Sequence, residues 1–103
     1  MNIEERVQIA ILSKYYGKML TDRQQDILKK YVDNNLSLSE VSEELNISRQ
    51  AVKDALDNAM QTLKHMEEKL QFIVRDDNIK KHIEENKKID ATTKTELIAL
   101  LED

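Results

Sequence analysis

Residues 36 to 56 read "LSLSEVSEELNISRQAVKDAL", and the folding of this stretch decides the rest. Ser37 and Glu40 stand at capping-box spacing, where hydroxyl and carboxylate each satisfy a backbone N–H that the first helical turn leaves without a partner. Leu38, Val41 and Leu45 then recur on one helical face. Asn46 tolerates the left-handed conformation that ends a helix. Ser48 caps a second helix, whose inner residues are Val52 and Leu56. Two short capped helices joined by a tight turn form a helix-turn-helix, in which the first helix braces the second and the second presents its N-terminal outward residues to a groove.

Stepping around the second helix from Val52 puts Gln50, Asp54, Asp57 and Gln61 at the centre of the outward face, with Arg49 and Lys53 at its flanks. Ser48, Arg49, Gln50, Lys53, Asp54 and Asp57 are therefore the candidate contact residues. Between residues 37 and 57, five carboxylates face two cations, a net charge of −3. Non-specific DNA affinity comes from lysine and arginine contacts that release counterions. Two carboxylates in the groove-facing row oppose that release and add a desolvation cost. An aspartate can accept from cytosine N4, so one of them is compatible with base reading; two beside so few cations favour a protein or RNA partner over DNA. Lys14, Lys18, Arg23, Lys29 and Lys30, upstream of the motif, are the alternative phosphate patch.

The surrounding chain reads as all-α. It has 103 residues, no proline and one glycine, and good helix formers dominate it. The pattern predicts a first helix over residues 3 to 16, ended by Gly17 in a left-handed cap, with apolar residues on two faces. Ile3, Ala10, Ile11 and Tyr15 fall on the side of Val7, and Ile9, Leu12 and Tyr16 fall roughly opposite. Thr21 and Gln24 form another capping box, opening a second helix that buries Ile27, Leu28, Tyr31 and Val32. After Ser48, the residues Val52, Leu56, Ala59, Leu63, Met66, Leu70 and Ile73 recur at steps of 4, 3, 4, 3, 4 and 3, a heptad seam that predicts a long fourth helix to about Val74. Ile9, Leu12, Tyr16, Ala59, Leu63, Met66, Leu70 and Ile73 are accordingly expected to form a dimer or helix-packing seam, and a homodimer is expected. Residues 1–74 are read as one helical domain and 75–103 as a C-terminal helical appendage packing on it, with Thr93 and Glu96 as a last capping box.

Two stretches carry a resemblance, "YYGKMLTDRQQDILKKYVDNNLSLSEVSEELNISRQAV" at 15 to 52 and "MEEKL" at 66 to 70. The chain resembles the YlxM/p13 family of helix-turn-helix proteins and, more distantly, the promoter-reading fourth region of bacterial sigma factors. The resemblance implies a sigma region 4-like bundle in a small cytoplasmic protein encoded beside signal-recognition-particle genes. It also implies a regulatory or accessory role in that targeting pathway, through the particle's RNA or its GTPase. A DNA-binding transcriptional regulator is the alternative. The first helix is more aliphatic here than in the family, and Lys53 stands where the family usually has tyrosine.

Nothing in the sequence points to catalysis, and no cofactor or metal site is expected. There is no cysteine, which removes disulfides, thiolate zinc sites and cysteine nucleophiles and fits a reducing, cytoplasmic setting. No phosphate-cradling loop can be built on Gly17 alone. His65 and His82 each have glutamates a helical turn away, the pattern of a solvated face. No apolar run approaches the roughly 20 residues that span a bilayer, and Glu4 and Glu5 occupy the place where a signal peptide carries basic residues.

Overall fold

The computed structural model describes residues 2–102, which form α1 (Ile3–Tyr16), α2 (Asp22–Leu28), α3 (Leu38–Leu45), α4 (Arg49–Leu70), α5 (Phe72–Glu85) and α6 (Ala91–Glu102). Among the described residues there is no strand. The chain divides into two compact units, Met1–Leu70 and Gln71–Asp103.

In the first unit, α1, α2 and α3 all pack on α4. The buried apolar residues are Ile9, Leu12, Tyr16, Leu20, Ile27, Leu28, Val41, Val52, Leu56, Ala59 and Leu63. The inner stripe of each helix thus meets the stripe of α4, as 3.6-residue periodicity requires. One face of α1 is consumed here, and the Tyr16 hydroxyl crosses to α4, donating to Glu67 Oε1 at 2.6 Å. The other face is not: Ile3, Val7 and Ile11 are 79%, 53% and 43% exposed.

Four details differ from the sequence reading. Gly17 does not end α1 in a left-handed cap; at φ −57° it continues right-handed into a short 3-10 turn, Gly17–Met19. A Cβ there would meet only the Ser13 Cβ, at an ordinary 3.7 Å. α2 does not continue as a regular helix, but widens into a π turn, Lys29–Asp33. The Arg6 guanidinium braces that turn from α1: it donates to the Tyr31 and Val32 carbonyls, each at 3.4 Å, and lies 5.5 Å from the centre of the Tyr31 ring. α4 stops at Leu70, four residues before the heptad pattern fades, because Gln71 adopts a left-handed φ of 54°. Leu70 is 46% exposed and Ile73 belongs to α5.

The second unit is a hairpin of α5 and α6. Lys80 Nζ meets Glu102 Oε1 at 3.1 Å and Lys94 Nζ donates to the Glu84 carbonyl at 2.8 Å, pairings that run the two helices antiparallel. The fourth difference lies here: α6 is capped by Asp90, whose Oδ1 accepts from the Thr93 N–H at 2.7 Å, rather than by Thr93 with Glu96. Asp76 is the buried polar residue of this unit, 5% exposed, with the Arg75 guanidinium 3.3 Å from its Oδ1.

Candidate nucleic-acid or partner interface

The helix-turn-helix is assembled by local hydrogen bonds that its sequence specifies. Ser37 Oγ accepts from the Glu40 N–H at 3.0 Å, and Glu40 Oε1 accepts from the Ser37 N–H at 3.1 Å. At the other end of α3, Asn46 sits left-handed at φ 55°, ψ 44°. The N–H groups of Asn46 and Ile47 return to the carbonyls of Glu43 and Ser42. Ser48 Oγ then accepts from the Ala51 N–H at 3.0 Å, which satisfies one of the N–H groups that the first turn of α4 leaves open. Val41 and Val52 have no exposed surface, which locks α3 onto α4. The turn therefore presents the outer face of α4 on a rigid support.

The side chains of that face pair with one another. Gln50 Nε2 donates to Asp54 Oδ1 at 2.9 Å, and Lys53 Nζ lies 3.2 Å from Asp57 Oδ2. Each pair is one helical turn apart, the spacing at which side chains on a helix surface meet. Arg49 is exposed and has no ion pair among the described residues. It lines a shallow depression with Leu38, Gln50 and Lys53. Ser48, Arg49, Gln50, Lys53 and Asp54 are exposed and Asp57 is half-exposed, so the six contact candidates lie together on one turn-and-helix surface.

The upstream cations are not brought together as one patch. Lys14, Lys18 and Lys29 line a groove between α1 and α2, but Asp26 and Asp33 line it too. Lys30 is not among the lining residues and is held in ion pairs, 2.9 Å from Asp26 Oδ1 and 3.7 Å from Glu44 Oε2. The hydrogen bond to Asp26, with the nearby carboxylates, holds its ammonium pKa above the usual lysine value. Arg23 is not part of the groove lining. Of the seam residues, Ile9, Leu12, Tyr16, Ala59 and Leu63 are inside the first unit, Met66 is half-buried and Leu70 exposed. Among the described residues no group of three or more His, Asp or Glu side chains is placed to hold a metal ion, and no helix is long and apolar enough to cross a membrane. Sequence reading missed Arg6, whose role depends on carbonyls that a π turn makes available and periodicity does not announce.

Residues 3–101 match a family described as helix-turn-helix, YlxM / p13 like, UPF0122. The chain belongs to the UPF0122 family. It is 42% identical over 86 residues to the UPF0122 protein of Clostridium kluyveri, covering 84% of this chain and 74% of that one. A UPF0122 protein of Desulforamulus reducens is 45% identical over 71 residues, 69% of this chain and 61% of its own length. One from Malacoplasma penetrans is 39% identical over 93 residues, 87% of each chain. This UPF0122 chain therefore carries the helix-turn-helix as a family feature, with a second helical unit that the match also includes.

Proposed function

We propose that this UPF0122 protein is a non-catalytic regulatory or accessory protein that uses α3, the turn and the start of α4 to hold a protein partner. The observation that carries this reading is the pairing of Gln50 with Asp54 and of Lys53 with Asp57 on the outward face. A polyanion approaching it meets carboxylates whose nearest donors are already engaged, and the net charge of −3 over residues 37–57 repels RNA phosphates as it does those of DNA. A protein surface bearing lysines or arginines suits Asp54 and Asp57 better. We take such a partner to belong to the signal recognition particle pathway, with the particle's GTPase as the first candidate, a choice that the resemblance to the YlxM/p13 family motivates.

The second reading is a DNA-binding transcriptional regulator. It is favoured by Arg49, which is exposed without an ion pair among the described residues at the position from which a recognition helix reaches a base edge. Gln50 and Lys53 would assist it.

Side-by-side binding to the GTPase, to the particle RNA and to duplex DNA, at about 50 and about 200 mM salt, separates the readings. We expect binding to the GTPase that weakens in Asp54→Asn plus Asp57→Asn, while the same variant gains affinity for both nucleic acids at low salt. DNA binding by the wild-type chain that is tighter than GTPase binding, steeply salt-dependent and lost in Arg49→Ala plus Lys53→Ala, would overturn the proposal in favour of the regulator.

A further inference from the structure

The apolar face of α1 that the core leaves uncovered carries its own complementary charges. On the helical wheel, Ile3, Ala10, Ile11, Glu4 and Lys14 all fall within about 60° of Val7. Ile3, Val7 and Ile11 are 79%, 53% and 43% exposed, and Ala10, Glu4 and Lys14 are exposed with them. Glu4 sits in the first turn and Lys14 in the last. Neither has an ion pair among the described residues. The face is thus an apolar stripe with a carboxylate at one end and an ammonium at the other.

We propose that this face is the contact for a second copy of the chain, with the two α1 helices packed antiparallel about a two-fold axis. An axis crossing α1 midway between Val7 and Ile11 sets Val7 against the partner's Ile11. The same operation sets Glu4 against the partner's Lys14, and by symmetry Lys14 against the partner's Glu4. An isologous contact must be self-complementary, and this stripe meets that requirement in shape of charge as well as in polarity. The parallel alternative sets Glu4 against Glu4 and Lys14 against Lys14, which is repulsive at both ends. Ile9, Leu12 and Tyr16 take no part, because they are already buried against the chain's own core.

The contact is modest. A 14-residue helix is about 21 Å long, and one pair of such helices buries less than the roughly 1,200–2,000 Å² of a stable dimer. A weak, reversible dimer follows, as for other contacts at the low end of interface size. It relates two helix-turn-helix surfaces by a dyad, whatever partner those surfaces hold.

Sedimentation equilibrium of the full chain from about 1 µM to about 1 mM tests this. The wild type is expected to pass from monomer to dimer across that range, and Val7→Asp to weaken dimerisation at least tenfold. Glu4→Lys and Lys14→Glu should each weaken it alone, and an equimolar mixture of the two should restore it as a heterodimer. Both charged residues are exposed, so these variants keep the fold, with far-ultraviolet circular dichroism as the control. A monomer at every concentration overturns the proposal. So does a dimer that Glu4→Lys and Lys14→Glu leave unchanged.

Discussion

Single side chains decide where α2, α3, α4 and α6 begin. Ser37, Ser48, Thr21 and Asp90 each accept a backbone N–H three residues on, the interaction that turns an extended residue into a helix start. Asp90 adds a titratable element to this. The Thr93 backbone N–H, reinforced by the Thr93 side chain, holds its carboxyl below the usual aspartate pKa. A folded value below the unfolded one means stability that is present above about pH 4 and lost as pH falls through the folded value. α6 should therefore loosen at its N-terminus in acid. Nuclear magnetic resonance of the Thr93 amide, followed through an acid titration, should show this loss in the wild type and little pH dependence in Asp90→Asn, where a neutral cap persists.

At the scale of the element, the seam along α4 has an internal part and an external part. Leu63 has no exposed surface, whereas Leu70 is 46% exposed. Leu63→Ala should cost about 2–5 kcal/mol through lost burial and a residual cavity, and Leu70→Ala within about 0.5 kcal/mol; urea unfolding of the two variants measures both. The sequence could not distinguish these positions, because heptad spacing runs unbroken through Leu63, Met66, Leu70 and Ile73. What ends α4 is the left-handed Gln71, and a glutamine carries no signal for that conformation. Gly17 erred in the opposite sense. It is the residue most permissive of a left-handed cap, yet nothing in its surroundings requires one. The capping boxes at Thr21 and Ser37 were legible because both partners lie within four residues and need no tertiary context. Overlapping three-residue spacings at Asp90, Thr93 and Glu96 gave two readings of one helix start, and only the structure chooses. The candidate contact residues were legible from the wheel, but their mutual pairing was not, since rotamers select which neighbours meet.

For the whole molecule, the distribution of buried apolar residues is uneven. Among the described residues all of them lie between Ile9 and Leu63, while in the second unit the buried residue is Asp76, 5% exposed. Ile73, Ile83, Leu97, Ile98 and Leu101 are only half-buried. A chain ending at Leu70 should unfold cooperatively with the helical signal of α1 to α4 intact. A peptide of residues 71–103 should be largely unfolded, being shorter than the roughly 40 residues below which a core rarely suffices. Thermal melts followed by circular dichroism check both halves of this expectation, and a cooperative melt of the isolated peptide would contradict it.

The π turn at Lys29–Asp33 bears on chain length. It holds one residue more than a regular helical turn, and Arg6 occupies two of its carbonyls. A residue deleted here can be absorbed by the turn tightening to an α-helical one, at the local expense of those Arg6 bonds. The same deletion inside Leu38–Leu45 or Arg49–Leu70 would rotate an inner stripe by about 100° and turn core residues outward. Among the helices that line the core, this turn is where the deletion of one residue can be inherited without redrawing the fold.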